Sequence, residues 1–379
     1  MRSNDVRFLL VFGLSFWCAC GPRPDRIQPD NQVNLPPQNV SVQQKAVWFA
    51  TSNYTQGGTL ARLDLATGDL NQRVLDIGPD VIIFPDGSEG LLALNRTTIG
   101  RDSLMALTGP GAAVSGVALL PGQMNPQGVA RDAQGRPWVV GLESNRVHVL
   151  SADLSGPLGT VDLSGLVEAD STDGVAELAH VTQLGEDRMV ISAQRLRRTA
   201  GLWPPEPQSG IAIVRSESLE LEYLGMVNVP NPTAIFADLV SFAQDPRVIV
   251  LGSGDLSGGT ITGASSSFSP RLREEDSAVR FPYRIIFAHF WQPDQPPAVI
   301  AWYKQENKSC VQIGEKKLIC EGSLANGGYV FNRVLRHGNL VFVSYIASGA
   351  SELWIVSVED GSVRKVSMRL PIESMSFGP

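Results

Sequence analysis

Seven short apolar runs recur along the chain: "AVWFA" around Trp48, "LLAL" around Leu92, "WVV" around Val139, "MVI" around Val190, "VIVL" around Ile249, "VIAW" around Ile300 and "LVFV" around Phe342. The steps between them are 44, 47, 51, 59, 51 and 42 residues, close enough to imply one repeated unit. Runs of three to five apolar residues without alternation predict strands buried on both faces. Six of the seven follow a turn signal, such as "FPDGSEG", "RDAQGRP" or "LRHGN", and several precede alternating strands and a second turn, as in "NRVHVLSADLSGPLGTVDL". The unit is therefore strand, turn, strand, loop, strand, turn, strand.

In a propeller the second strand of each blade is sandwiched between neighbouring blades, so it loses alternation while outer strands keep it. The pattern predicts an all-β fold, a seven-bladed β-propeller of four-stranded antiparallel blades over residues 45–379. A β-sandwich is the competing architecture, and it implies one-sided alternation in most strands. The last unit ends near Leu370, leaving "PIESMSFGP" as the opening strand of another blade, whereas the first unit lacks that strand. Residues 371–377 are expected to complete the first blade and close the ring, with Val40 to Val42 as the rival segment.

The stretch "NPQGVARDAQGRPWVVGLESNRVHVLSADLSGPLG" resembles an NHL-type repeat in its Pro-x-Gly opening, Asp-x-x-Gly turn and Asn-Arg-Val strand. "LDLATGD", with Asp64 and Asp69, is similar to turns of YVTN and quinoprotein propellers. The resemblance implies the superfamily architecture and brings no active site with it.

At the start, Arg2 and Arg7 precede an apolar run from Phe8 to Trp17, the shape of a signal peptide over residues 1–19 and too short for a spanning helix. "LSFWCACGP" then resembles a lipobox: Ala19 is slim enough to precede a cleaved and lipidated Cys20, and Cys18 leaves with the signal. Ordinary cleavage or an uncut signal is the alternative. Residues 20–44 carry Pro22, Pro24, Pro29, Pro36 and Pro37 among Gln, Asn and Asp, which reads as a tether holding the propeller off a membrane. By resemblance to lipoproteins, Gly21 favours an outer membrane. In "SCVQIGEKKLICEG", pairing Cys310 with Cys320 aligns Val311 with Ile319, Gln312 with Leu318 and Ile313 with Lys317 around a three-residue turn. An oxidising compartment favours a disulfide there; a zinc site needs further ligands.

The formal charge of −7 is modest and interspersed, so no nucleic-acid surface is expected, and the propeller is expected to be monomeric. The longest insertions are "QRLRRTAGLWPPEPQS" in the fourth unit, the segment from Gly252 in the fifth, and the link "GLVEADSTDGVAE". Long loops on a rigid scaffold carry function. Arg195, Arg197, Arg198 and Trp203 combine positive charge with an aromatic face, suited to an anionic or sugar-like partner such as an envelope polymer, or to another protein; a solvated loop with Trp203 folded back is the alternative. His180 and His289 fall on predicted innermost strands as candidate channel-lining residues, either sharing a metal or serving as ordinary hydrogen-bonded side chains. His148 and His337 are expected to be peripheral. "EADSTDG", with Asp170 and Asp173, has the oxygen density of a calcium loop or of a solvated link; no other cofactor is suggested.

No G-x-S-x-G elbow, P-loop or H-E-x-x-H helix is present. The expectation is a lipid-anchored propeller of the bacterial envelope that binds an envelope component or protein, with an exported lactonase-like or quinoprotein-like enzyme as the alternative.

Overall fold

The computed structural model describes Val33, Leu35 and residues 45–379 apart from 56, 88–89, 97–100, 123, 169–170, 172, 198–202, 239–246, 255–261, 271–273, 293–294, 325–328 and 348–349. These residues form seven sheets of four antiparallel strands, a seven-bladed propeller. Among them, helix is confined to a single 3-10 turn, Ser164–Leu166.

Each of the seven apolar runs occupies the second position of its sheet. The second strand of blade 1, Ala46–Ser52, is buried at every residue. Leu91 to Leu94 in blade 2 and Trp138 to Val140 in blade 3 are equally enclosed. The core lies between blades: Val47, Phe49 and Leu63 of blade 1 share one apolar cluster with Phe342, Leu353 and Ile355 of blade 7. Sandwiching explains the lost alternation, because both faces of such a strand meet a neighbouring sheet.

The ring closes as expected, displaced by one residue. Ile372–Gly378 is the innermost strand of blade 1 and runs antiparallel to Ala46–Ser52, with Ala46 opposite Gly378 and Thr51 opposite Ile372. The rival segment around Val40 lies outside the described residues. In blade 5 the outer strands are Ala264–Ser269 and Glu274–Arg280. The first of these is serine-rich and buries Ser266 and Ser269, which hides its alternation from a hydropathy reading.

Two expectations are corrected. Cys310 and Cys320 are bonded and directly opposite, with Val311 opposite Ile319, but the register then slips, pairing Gln312 with Lys317 and Ile313 with Lys316. The turn is therefore Gly314-Glu315, with Leu318 as the extra residue. Gly314 at φ 55° supplies the left-handed first position that a two-residue hairpin favours. Second, His337 is not peripheral. It ends the innermost strand of blade 7, is 3% exposed, and lies edge-on to Trp291 at 4.6 Å. "LRHGN" turns only at Gly338-Asn339, since His337 still pairs with Leu340.

The segment expected to be a tether also touches the propeller. Val33 is buried with Leu63 and Leu65, and its N–H donates to the Gly68 carbonyl at 2.7 Å. A Cβ on Gly68 would stand 2.0 Å from the Val33 oxygen, and its φ of 77° also suits glycine, so the "LATG" turn both bends the chain and seats Val33.

Candidate functional site

Each innermost strand is hydrogen-bonded on one side only, and its open edge faces the axis. Six of the seven carry a register shift near the end where the links enter: Glu373 in blade 1, Gln127 in blade 3, Ala179 in blade 4, Thr233 in blade 5, Ile286 in blade 6, and Asn332-Arg333 against Ser344 in blade 7. Blade 2 pairs without a shift. A bulge inserts one residue and re-aims side chains, and bulges cluster beside active sites. Here they make a ring of bulges around the mouth of the axis, on the face that carries the inter-blade links and the loops between second and third strands.

Polar side chains gather on the blade 7, 1, 2 and 3 side of this ring. Arg333 Nε donates to the Glu373 carbonyl at 2.5 Å, and its Nη1 donates to the carbonyl and Oδ1 of Asn332 at 3.0 and 2.7 Å. Tyr54, from the loop after the second strand of blade 1, donates its hydroxyl to Glu373 Oε2. Burial and the Glu373 carboxylate push the phenol up, so Tyr54 remains a donor. Arg96 of blade 2 donates through Nε to Asp80 Oδ1 at 3.0 Å and through Nη1 to Gln127 Oε1 at 3.4 Å. Gln127 Nε2 in turn donates to Asn125 Oδ1 at 2.9 Å.

The backbone beneath the ring is strained. Tyr54, Asn125, Glu177 and Asn231 have φ of 58°, 47°, 51° and 48°, a region non-glycine residues seldom enter. Asn125, Glu177 and Asn231 each stand immediately before an innermost strand. Glu177 is fully buried, and its carboxylate accepts the Leu196 N–H at 3.0 Å.

On the blade 4 to 6 side the bulged residues are Ala179, Thr233 and Ile286, less polar than those across the mouth. His180 Nε2 reaches the Pro232 carbonyl at 3.2 Å, which makes it the donor, and burial pushes its pKa down to about 4. His289 stands at the other end of the axis. It pairs with Ala298, the first residue of its neighbouring strand, whereas His180 pairs with Ser192 near the end of its own neighbour. Its Nδ1 accepts the Arg336 N–H at 3.2 Å; burial and then Arg336 push it down to about 4. The two imidazoles do not meet. Among the described residues, no three His, Cys, Asp or Glu side chains form a group suited to a metal ion.

The insertion of blade 4 packs onto the link before that blade. Arg195, at φ 52°, donates to the carbonyls of Leu166 and Gln208 at 3.2 and 3.3 Å and pairs with Glu168, so it braces the two segments. Arg197 pairs with Glu206 and keeps half of its side chain in solvent, while Trp203 is 40% exposed. Arg198 lies outside the described residues, as do Cys20 and Asp170. Asp173 Oδ1 accepts the Ser171 hydroxyl and the Val175 N–H at 2.9 and 3.0 Å, closing a local turn. His148 is half-buried on the third strand of blade 3.

Sequence reasoning missed the ring of bulges, because a bulge is an extra residue of any type. The one available signal was the Asn-Pro step at Asn125-Pro126 and Asn231-Pro232, which marks a turn at the head of a strand.

No family model matches the chain, and no curated protein matches it. Solved structures do. The chain is similar to the periplasmic gluconolactonase of Pseudomonas aeruginosa, with TM-score 0.56 and 10% identity over 88% of this chain and 98% of that one. It is similar to a protein from Lactobacillus plantarum at TM-score 0.59 and 13% identity, covering 88% and 99%. A dihydro-heme d1 dehydrogenase matches at TM-score 0.51 and 10% identity, covering 92% and 79%. The likeness is one of fold. It supports the propeller architecture and leaves the chemistry to the residues of this chain.

Proposed function

We propose that this chain is a binding propeller of the bacterial cell envelope, anchored through a lipid on Cys20, which holds an envelope component or a protein partner on its link-bearing face. The ring of bulges carries this reading, since an extra residue at one level in six innermost strands brings Arg333, Glu373 and Gln127 to one mouth beside Tyr54 and Arg96. The apolar start and its cysteine support export and anchoring. Among the described residues, no helix is long and apolar enough to cross a membrane.

A photo-reactive side chain placed at Tyr54 in the full-length chain tests the site. It is expected to capture an envelope component that the same group at Val363, on the outer edge of blade 7, does not capture. Equal capture at both positions overturns the mouth as the binding centre. Anchoring is tested separately: Cys20→Ser is expected to move the protein from the membrane to the soluble fraction.

A second reading, hydrolysis of a lactone-type ring, draws on the fold likeness to a gluconolactonase and on the Glu373 carboxylate and Tyr54 phenol standing beside a guanidinium. Turnover of glucono-δ-lactone by the purified chain, lost in Glu373→Gln, would establish it. Stoichiometric calcium in the purified protein would likewise favour an enzyme.

A further inference from the structure

We infer that the mouth of the axis binds a small polyhydroxylated monoanion of the sugar-carboxylate class, its charge received by the guanidinium groups of Arg333 and Arg96. The inference rests on the reading of the mouth as the binding centre and names the ligand chemistry that suits it.

Arg333 is only partly committed. Its Nε and Nη1 are engaged by Glu373 and Asn332, while no described residue engages its Nη2. One face of the guanidinium lies over the Phe287 ring at 5.1 Å, which shields it from water. A half-buried guanidinium with an unused N–H is open to an acceptor bearing negative charge. Arg96 is similar: Nε and Nη2 share one oxygen of Asp80, and Nη1 reaches Gln127 only at 3.4 Å. Burial does most to disfavour the charge on Arg333; Glu373 and Tyr54 favour it, and Arg96 adds a smaller repulsion.

The charge balance sets the valence. Asp80 and Glu373 offset the two guanidinium groups locally, so this side of the mouth is near neutral before a ligand arrives and suits a carboxylate better than a dianionic phosphate ester. Hydroxyl groups are the natural remainder of such a ligand. The Tyr54 phenol, the amides of Gln127, Asn125 and Asn332 and the Thr233 hydroxyl offer uncharged donors and acceptors around the ring.

The test is calorimetric titration of the full-length chain in detergent with D-glucuronate, D-gluconate, D-glucose and D-glucose 6-phosphate. The two carboxylates are expected to bind at least tenfold more tightly than glucose, with no gain for the phosphate ester. Arg333→Gln is expected to erase the preference for glucuronate over glucose. Should that variant fail to fold, Arg96→Gln serves in its place, with a loss of at least severalfold expected for glucuronate. Equal binding of glucuronate and glucose, or glucuronate binding unchanged in a folded arginine variant, overturns the inference. Failure of every sugar acid to bind while the photo-reactive group in place of Tyr54 still captures an envelope component also overturns it and leaves the binding centre standing. Failure of both removes the binding centre as well.

Discussion

Trp48 and Pro379 are joined by a hydrogen bond across 331 residues of chain: the indole Nε1 donates to the Pro379 carbonyl at 3.1 Å. Arg62 Nε donates to the same oxygen at 2.9 Å. Trp48 belongs to the fully buried second strand of blade 1, so the bonds fasten the closing strand to the blade it completes.

Phe377 should carry much of that closure. Its ring is buried with Phe342 and Ile372, and it lies 5.3 Å from the His337 ring and 5.8 Å from that of His289. Phe377→Ala is expected to cost about 3–5 kcal/mol in denaturant unfolding. Truncation after Leu370 removes the whole strand and is expected to leave the chain insoluble. An unchanged unfolding midpoint for Phe377→Ala would mean that the ring is held by other contacts.

The disulfide closes a short loop, Cys320 standing 10 positions after Cys310. Loop entropy assigns such a link roughly 2–3 kcal/mol. The double substitution Cys310→Ala, Cys320→Ala is expected to lower stability by about that much and leave the fold intact, because the hairpin is already fixed by its ladder and by Val311 in the core. Circular dichroism and a denaturation curve of the double variant check both parts.

What the sequence made legible was burial. The second strands show as apolar runs because both of their faces are covered, and the closing strand shows because one blade had a strand too few and the last unit a strand too many. The cysteine pair is legible because the two cysteines flank one short turn and face each other when the segment folds as a hairpin. Register at single-residue resolution was not legible. The slip at Gln312 and the bulges at Glu373, Gln127 and Arg333 change which residue faces where without changing composition. The candidate site is built from such slips, so it escaped a reading based on pattern. Val33 escaped because a lone valine in a proline-rich stretch has no periodicity, and only the turn at Gly68 shows where it docks.

Stability should depend on pH through the histidines that the fold holds neutral, His180 and His289 foremost, with His148 and His337 lowered in the same direction by burial. His180 and His289 are held near pKa 4 in the fold, against about 6.5 for an unfolded histidine. Between those values the unfolded chain binds more protons, so the stabilisation is full above about pH 6.5, declines as pH falls, and is lost below about pH 4. Each histidine contributes at most about 3 kcal/mol. His180→Gln keeps a donor for Pro232, and His289→Asn keeps an acceptor for the Arg336 N–H. The double variant is expected to reduce the slope of the unfolding midpoint against pH between pH 6.5 and 4, with His148 and His337 supplying the remainder. The exposed carboxylates of Asp153 and Asp360, held at about 2 by hydrogen bonds to serines, act only at lower pH. An unaltered slope in the double variant would assign the dependence to other groups.

Arg195 and Arg197 are two residues apart in one insertion and should behave oppositely. Arg195 holds the insertion to the link through Leu166, Gln208 and Glu168, and its side chain is 10% exposed. Removing it leaves two carbonyls and a carboxylate without that donor, so Arg195→Ala is expected to lower stability by about 1–3 kcal/mol. Arg197 has half its side chain in solvent, and its pair with Glu206 is of the surface kind that contributes about 0–1 kcal/mol. Arg197→Ala together with Arg198→Ala is therefore expected to leave the melting temperature almost unchanged while weakening capture of a macromolecular partner on this face. Thermal unfolding and envelope capture measured on the same preparations separate the two roles. Unaltered capture by the Arg197, Arg198 variant takes the insertion out of the binding surface and leaves the mouth of the axis as its centre.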